Sequence, residues 1–271
     1  MRFRFLLVTL LASLAVLGSS ARFIVAGARR ASGNFRADEN ARTPVLVELF
    51  TSEGCSSCPP ADALLQRLDQ AQPAKDAELI VLSEHVDYWN DIGWADPYSS
   101  HEYSERQSAY AAQFGNGSIY TPQMIVDGRF EFVGSDERRA NEAVREAVKE
   151  DKAPVEVALS SNGDKSVVVH VKAGPLPSGV RNGSADVFLA IADNKDVSQV
   201  SRGENAGRTL QHVGVLRKLT RLGSVDGSDV FSRDITLNAK GINDTNLRIV
   251  VMVQEPNVGR VLGAALTRLP N

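Results

Sequence analysis

The sequence predicts an α/β domain followed by an all-β domain. Three observations carry that expectation. Up to about residue 150, apolar runs of strand length alternate with stretches of helical spacing. A C-x-x-C pair, Cys55 and Cys58, stands between the first such run and the first helical stretch. Beyond Pro154, valine-rich runs succeed one another with turn residues between them and no helical pattern. The chain thus divides into an export signal (1–28), a polar lead-in (29–43), an α/β domain (44–151) and a β-rich C-terminal domain (152–271).

Arg2 and Arg4 precede an apolar run from Leu6 to Leu17, and small residues follow, with Ser19-x-Ala21 or Ala26-x-Ala28 as cleavage sites. This order is that of a secretory signal peptide, and the run is short for a membrane span. An uncleaved N-terminal anchor is the alternative. Export implies a periplasmic or secreted protein, with no membrane span left after cleavage. An oxidising compartment lets a disulfide persist.

Val45 to Phe50 reads as a buried strand, and Leu64, Leu65 and Leu68 give the next segment one apolar stripe. Leu79 to Leu82 is apolar throughout, as in a strand covered on both faces. Ser99 or Ser100 caps a helix running to about Phe114, and Gly115-Asn116-Gly117 stops it. Gln123 to Val126, the turn Asp127-Gly128 and Arg129 to Val133 make a hairpin. Ser135 caps a last helix carrying Ala140, Ala143, Val144, Ala147 and Val148 at helical spacing. The later strands are Val155 to Leu159, Val167 to Val171, Val187 to Ile191, Val230 to Leu237, Leu247 to Val253 and Val261 to Leu266. Turns such as Asn182-Gly183 and Asp226-Gly227 separate them, as in an antiparallel sandwich, immunoglobulin-like in outline, or a barrel. The other arrangement open to these strands is an extension of the first domain's sheet.

Thirty Lys and Arg against 33 Asp and Glu leave a net charge of −3, and no basic cluster points to nucleic acid. Two cysteines cannot staple a disulfide scaffold, so both parts need ordinary cores. A zinc site usually needs four ligands, and there is no second cysteine pair. A helix start stabilises a thiolate through its dipole and free N–H groups, so a C-x-x-C there is suited to redox chemistry.

With C-x-x-C at the first helix and an X-Pro bond opening the third strand, residues 42–150 resemble the thioredoxin fold. Glu48 to Asp62 and His85 to Asn90 are similar to a narrower group, an exported bacterial thioredoxin-like family catalogued as a domain of unknown function. Tyr120 to Gln123 and Arg202 to Leu210 fit it too.

The resemblance implies roles. Cys55 is the attacking thiol and Cys58 resolves the mixed disulfide. If Pro59 takes the first helical position, Cys58 is the helix cap. Glu48 shares a strand face with Leu46 and Phe50, and the resemblance makes it a buried acid that passes protons, burial raising its pKa. The alternative is a structural glutamate. Thr121–Pro122 would be cis, exposing the Thr121 backbone to a substrate strand, with Trp89 on the same rim. His85, Asp87, Trp89 and Trp94 follow a strand whose carboxyl end lies on that rim. His85 either fixes a loop by pairing with a carboxylate or joins Cys55 and Cys58 around copper.

Three functions follow. The first is an exported thiol–disulfide oxidoreductase acting on protein thiols, with no cofactor beyond its cysteine pair. The second is a copper-handling protein using Cys55, Cys58 and His85. The third is a non-catalytic envelope binding module with a structural disulfide.

Overall fold

The computed structural model describes Phe35 and residues 42–161, 166–238 and 246–269. The signal (1–28) and nearly all of the lead-in lie outside the described residues. Among those described, no helix is long and apolar enough to cross a membrane.

Among the described residues, eleven strands and three short helices follow one another. β1 is Thr43–Thr51, α1 Pro59–Ala71, β2 Ala77–His85, α2 His101–Phe114, β3 Gln123–Val126, β4 Phe130–Val133 and α3 Glu137–Ala147. After them come β5 Val155–Ser161, β6 Ser166–Ala173, β7 Ser184–Gln199, β8 Thr209–Asp226, β9 Phe231–Asn238, β10 Leu247–Gln254 and β11 Val261–Arg268. Local chemistry sets several of these ends. Pro59 and Pro60 open α1, where a missing N–H costs nothing. The Ser100 side chain accepts from the Glu102 amide to start α2, and Gly115 ends it in the left-handed region at φ 72°. Asp127 and Gly128 both have positive φ, 50° and 63°, as a two-residue hairpin turn requires. The cap of α3 is Asp136 rather than Ser135.

The expectation of an α/β thioredoxin-like domain followed by a separate all-β, sandwich-like domain is overturned. The chain is mostly β, and both stretches contribute to a single mixed sheet in the order β11-β10-β7-β8-β2-β1-β3-β4. The remaining three strands form a small sheet, β5-β6-β9. The junction is β8, which runs parallel to β2 with Ser83 opposite Val215. Gly214 makes this approach possible. Its φ is +60°, and a Cβ there would lie 2.4 Å from the carbonyl oxygen of Val81. The sequence reading placed no strand at β8. Its segment carries Arg, Lys and Gly among the apolar residues, so neither a continuous run nor strict alternation marks it.

The cores follow the shared sheet. One face of β1 and β2 packs Val45, Val47, Leu49, Leu79 and Val81 against α1 and α3. On the opposite face, Leu46, Ile80, Leu82 and Tyr103 share a core with Ala190, Leu216, Val250 and Met252 from the later strands. A third core lies between the small sheet and β7, β10 and β11. The buried Arg248 of β10 grips Asp69 of α1 with two parallel hydrogen bonds, at 2.9 and 3.0 Å, tying the two stretches once more.

Candidate functional site

Cys55 and Cys58 are joined as a disulfide, with their Cα atoms 5.4 Å apart. Cys58 is the residue before the first turn of α1, and its carbonyl accepts from the amides of Ala61 and Asp62. Both cysteines are fully buried, whereas Ser56 and Ser57 between them are exposed.

The cover comes from the segment between β7 and β8. Asn205 donates to the carbonyls of Glu53 and Cys55, at 2.9 Å each. It is fully buried while its neighbours from Ser201 to Thr209 are exposed, so its amide is a plug set into the rim. Beside it, the Glu204 carboxylate accepts from the Ser56 amide at 3.2 Å, and the Ser56 side chain first and this amide second hold the Glu204 carboxyl below its usual range. On another side, Trp89 Nε1 donates to Thr121 Oγ1 at 2.9 Å, and the Ser57 hydroxyl lies 3.5 Å from the Thr121 carbonyl. The Thr121–Pro122 bond is cis, and Pro122 is buried. The structure thus gathers Cys55, Cys58, Thr121, Pro122 and Trp89 around one rim.

Behind the disulfide lies a buried polar cluster. The Glu53 carboxylate accepts from Trp94 Nε1 at 2.7 Å and lies 3.3 Å from His212 Nε2. The Asp96 carboxylate accepts from the Glu53 amide at 2.8 Å and lies 2.7 Å from His85 Nδ1. Asp62, one turn into α1, accepts from the Thr51 hydroxyl at 2.9 Å and lies 4.0 Å from His212 Nδ1. The rings of His85 and His212 meet edge to face with centroids 4.7 Å apart, and Tyr98 packs on both. His85 Nε2 and His212 Nδ1 are buried without a hydrogen-bond partner.

Charge and burial compete within this cluster. Burial opposes ionisation of Glu53, but hydrogen bonds from His212, Ser198 and Trp94 prevail and hold its carboxyl below the usual range. Asp96 is lowered likewise, its desolvation outweighed by His85. Burial also opposes a charged His212, yet Glu53 and Asp62 raise its pKa above the ordinary value. Asp62 goes the other way: desolvation pushes its carboxyl up, and the histidines offset this only in part.

Glu48 sits in a different cluster. Its Oε1 accepts from Arg106 Nε and Nη2 at 2.9 and 2.6 Å, and its Oε2 accepts from the Tyr110 hydroxyl at 2.6 Å. Gln254 bonds both Tyr110 and Arg106. Both Glu48 oxygens are thus engaged by α2, and Gln254 of β10 joins through Arg106 and Tyr110. His85 pairs its Nδ1 with Asp96, and its Nε2 has no hydrogen-bond partner. Among the described residues, no three His, Cys, Asp or Glu side chains are disposed to share a metal ion.

Nothing in the sequence alone sets Glu53, Asp62, Tyr98, His212 or Asn205 apart as site residues. Glu53 and Asp62 lie within the motif stretch around the cysteines, and Asn205 within Arg202 to Leu210. Their convergence was invisible because His212 belongs to β8, whose segment carried no strand signal.

The chain belongs to a protein family of unknown function, DUF1223, whose model matches residues 46–254. That match spans the C-x-x-C, the cluster behind it and the Asn205 segment. Among solved structures, protein AGR_C_4864 of Agrobacterium tumefaciens is similar at 28% identity and a TM-score of 0.62. The similarity covers 85% of this chain and 99% of that one, so it runs through both stretches. HBP35 of Porphyromonas gingivalis shares the fold at 14% identity and a TM-score of 0.59, over 84% of this chain and 76% of its own. No curated protein is similar enough to count as a match.

Proposed function

We propose that this is an exported thiol–disulfide oxidoreductase in which the Cys55–Cys58 pair exchanges electrons with protein thiols. The observation that carries the reading is a C-x-x-C disulfide at a helix start, backed by a buried cluster of exchangeable protons. A substrate thiolate attacks Cys55 Sγ, the Cys55–Cys58 bond breaks, and its electron pair passes to Cys58 Sγ. A second substrate thiolate then attacks the substrate sulfur of the mixed disulfide. The substrate leaves as a disulfide, oxidised by two electrons, and the pair is left reduced. The opposite direction runs the same steps in reverse. The exposed backbone at Ser56 and Ser57 and the rim of Trp89, Thr121 and Pro122 supply a surface for an extended substrate segment. The export signal read in residues 1–28 fits a compartment in which such disulfides persist.

Burial of both sulfurs favours a second reading, a structural disulfide that never turns over. Purified protein in a glutathione redox buffer with a reduced protein substrate separates the two. Oxidoreductase activity predicts exchange that Cys55→Ser abolishes. Because the Asn205 amide covers the pair, Asn205→Ala is expected to raise the exchange rate severalfold. It should also cost about 1–2 kcal/mol of stability for its two hydrogen bonds. No exchange by either the parent protein or Asn205→Ala establishes the structural disulfide.

A further inference from the structure

Within the buried cluster, three carboxylates face two histidines. Asp96 pairs with His85 and Glu53 with His212, at 2.7 and 3.3 Å. Asp62 is the carboxyl left over, held only by the Thr51 hydroxyl. Among the described residues no Lys or Arg forms an ion pair with any of the five. Asp62 follows Cys58 by four positions, so the two side chains lie on one face of α1, about 5–6 Å apart at Cβ. Cys58 is fully buried and Asp62 nearly so.

We infer that Asp62 is the proton donor and acceptor of Cys58, and that His212, with its unpartnered Nδ1 facing Asp62, recharges it. This rests on the oxidoreductase reading. When a thiolate attacks Cys55 and the disulfide breaks, charge appears on Cys58 Sγ, a sulfur that water does not reach. The Asp62 proton neutralises that charge as it forms, leaving a carboxylate. His212 sits with one ring nitrogen toward Glu53 and the other toward Asp62. It returns its Nδ1 proton to Asp62 and keeps its Nε2 proton on the Glu53 carboxylate, which leaves a neutral imidazole, and the reverse reaction restores that proton. In the oxidising direction the Asp62 carboxylate takes the Cys58 thiol proton, and Cys58 Sγ then attacks the mixed disulfide at Cys55. Asp62 is faced from β1 by Thr51, from β2 by His85, from the following loop by Asp96 and from β8 by His212, with Glu53 on the other side of that imidazole. Desolvation raises the Asp62 pKa, which favours the protonated form that the proton donor needs.

The test uses the full-length mature chain, reduced and mixed with saturating oxidised glutathione in a stopped-flow instrument. Trp fluorescence then reports the unimolecular attack of Cys58 on the glutathione mixed disulfide. For the parent protein the rate should rise with pH to an inflection set by Asp62. Asp62→Asn should slow the step by about ten- to a hundred-fold at neutral pH and erase that inflection, and Asp62→Glu should restore part of it. Protonated His212 lowers the Asp62 pKa, so His212→Gln should move the inflection to higher pH. Should Asp62→Asn fail to fold, that shift in His212→Gln decides. An unchanged profile in Asp62→Asn, or an unmoved inflection in His212→Gln, overturns the relay while leaving the oxidoreductase standing. No exchange by the parent protein removes both.

Discussion

Two buried charge clusters lie on this sheet, and they are built on opposite principles. Glu48, Glu84 and Arg106 share one; Glu53, Asp62, Asp96, His85 and His212 share the other. The first has a guanidinium that never loses its charge, with Glu48 fully engaged by Arg106 and Tyr110. Glu84, 3.5 Å from Arg106 and without a hydrogen bond, is pushed well above the carboxylate range by burial and then by Glu48. One lasting ion pair beside one neutral acid satisfies that site. The second cluster has no guanidinium or ammonium, and against its burial His212 has its pKa raised by Glu53 and Asp62. Adjacent residues feed both: Glu84 and His85 are neighbours in β2, and a strand sends neighbours to opposite faces. The first arrangement carries a fixed cation and the second does not, and the proposed relay assigns proton movement to the second.

The harshest way to test that contrast is to remove the fixed cation. Arg106→Met leaves Glu48 buried without its ion partner, beside Glu84 and the Tyr110 hydroxyl. Breaking a buried pair from one side costs about 3–5 kcal/mol. Urea unfolding should show a loss of that order, or no folded protein. A loss under 1 kcal/mol would mean that the Arg106 ion pair contributes little to the fold.

Glu48→Gln is milder, because Glu84 can give up its proton and take over Arg106. The expected loss is about 1–2 kcal/mol, that of hydrogen bonds to a charged group partly replaced. The pH–rate profile of thiol exchange should keep its shape. A slowed exchange with unaltered stability would reverse the assignment, giving the proton role to Glu48 and a purely structural role to the histidine cluster.

The two clusters were unequally legible in the sequence. Glu48 stood out because it interrupts an apolar strand, but periodicity could not reveal Arg106, which is 58 residues away on α2. The helix start at Pro59, the α2 cap at Ser100 and the Asp127-Gly128 hairpin were readable because each depends on residues within a few positions. The union of both stretches in one sheet was not readable, since it depends on β8. That strand pairs with β2 through a glycine at positive φ and carries the exposed Arg217, Lys218 and Arg221. Its mixed composition resembles a loop's. With β8 unseen, His212 had no place in the fold, and the cluster behind the cysteines lost the side chain that joins Glu53 to Asp62.

The smallest expected effect is the dependence of stability on pH, and it separates the clusters without any assay of activity. His212 has a folded pKa above its unfolded value of about 6.5. Its contribution is therefore complete below that value and is lost as pH rises through the folded one. Asp62, also raised, acts in the same direction beginning from its unfolded value of about 3.9. Glu53 and Asp96 are lowered, so their contribution is present above their unfolded values and is lost as pH falls through the folded ones. The urea midpoint of the parent protein should thus decline above about pH 6.5, as well as in acid. His212→Gln should flatten the decline on the alkaline side, whereas Glu48→Gln should keep it with a lower midpoint throughout, because its cluster holds a permanent cation. If His212→Gln keeps the full alkaline slope, the protons that move near neutrality belong elsewhere, and the second cluster is as fixed as the first.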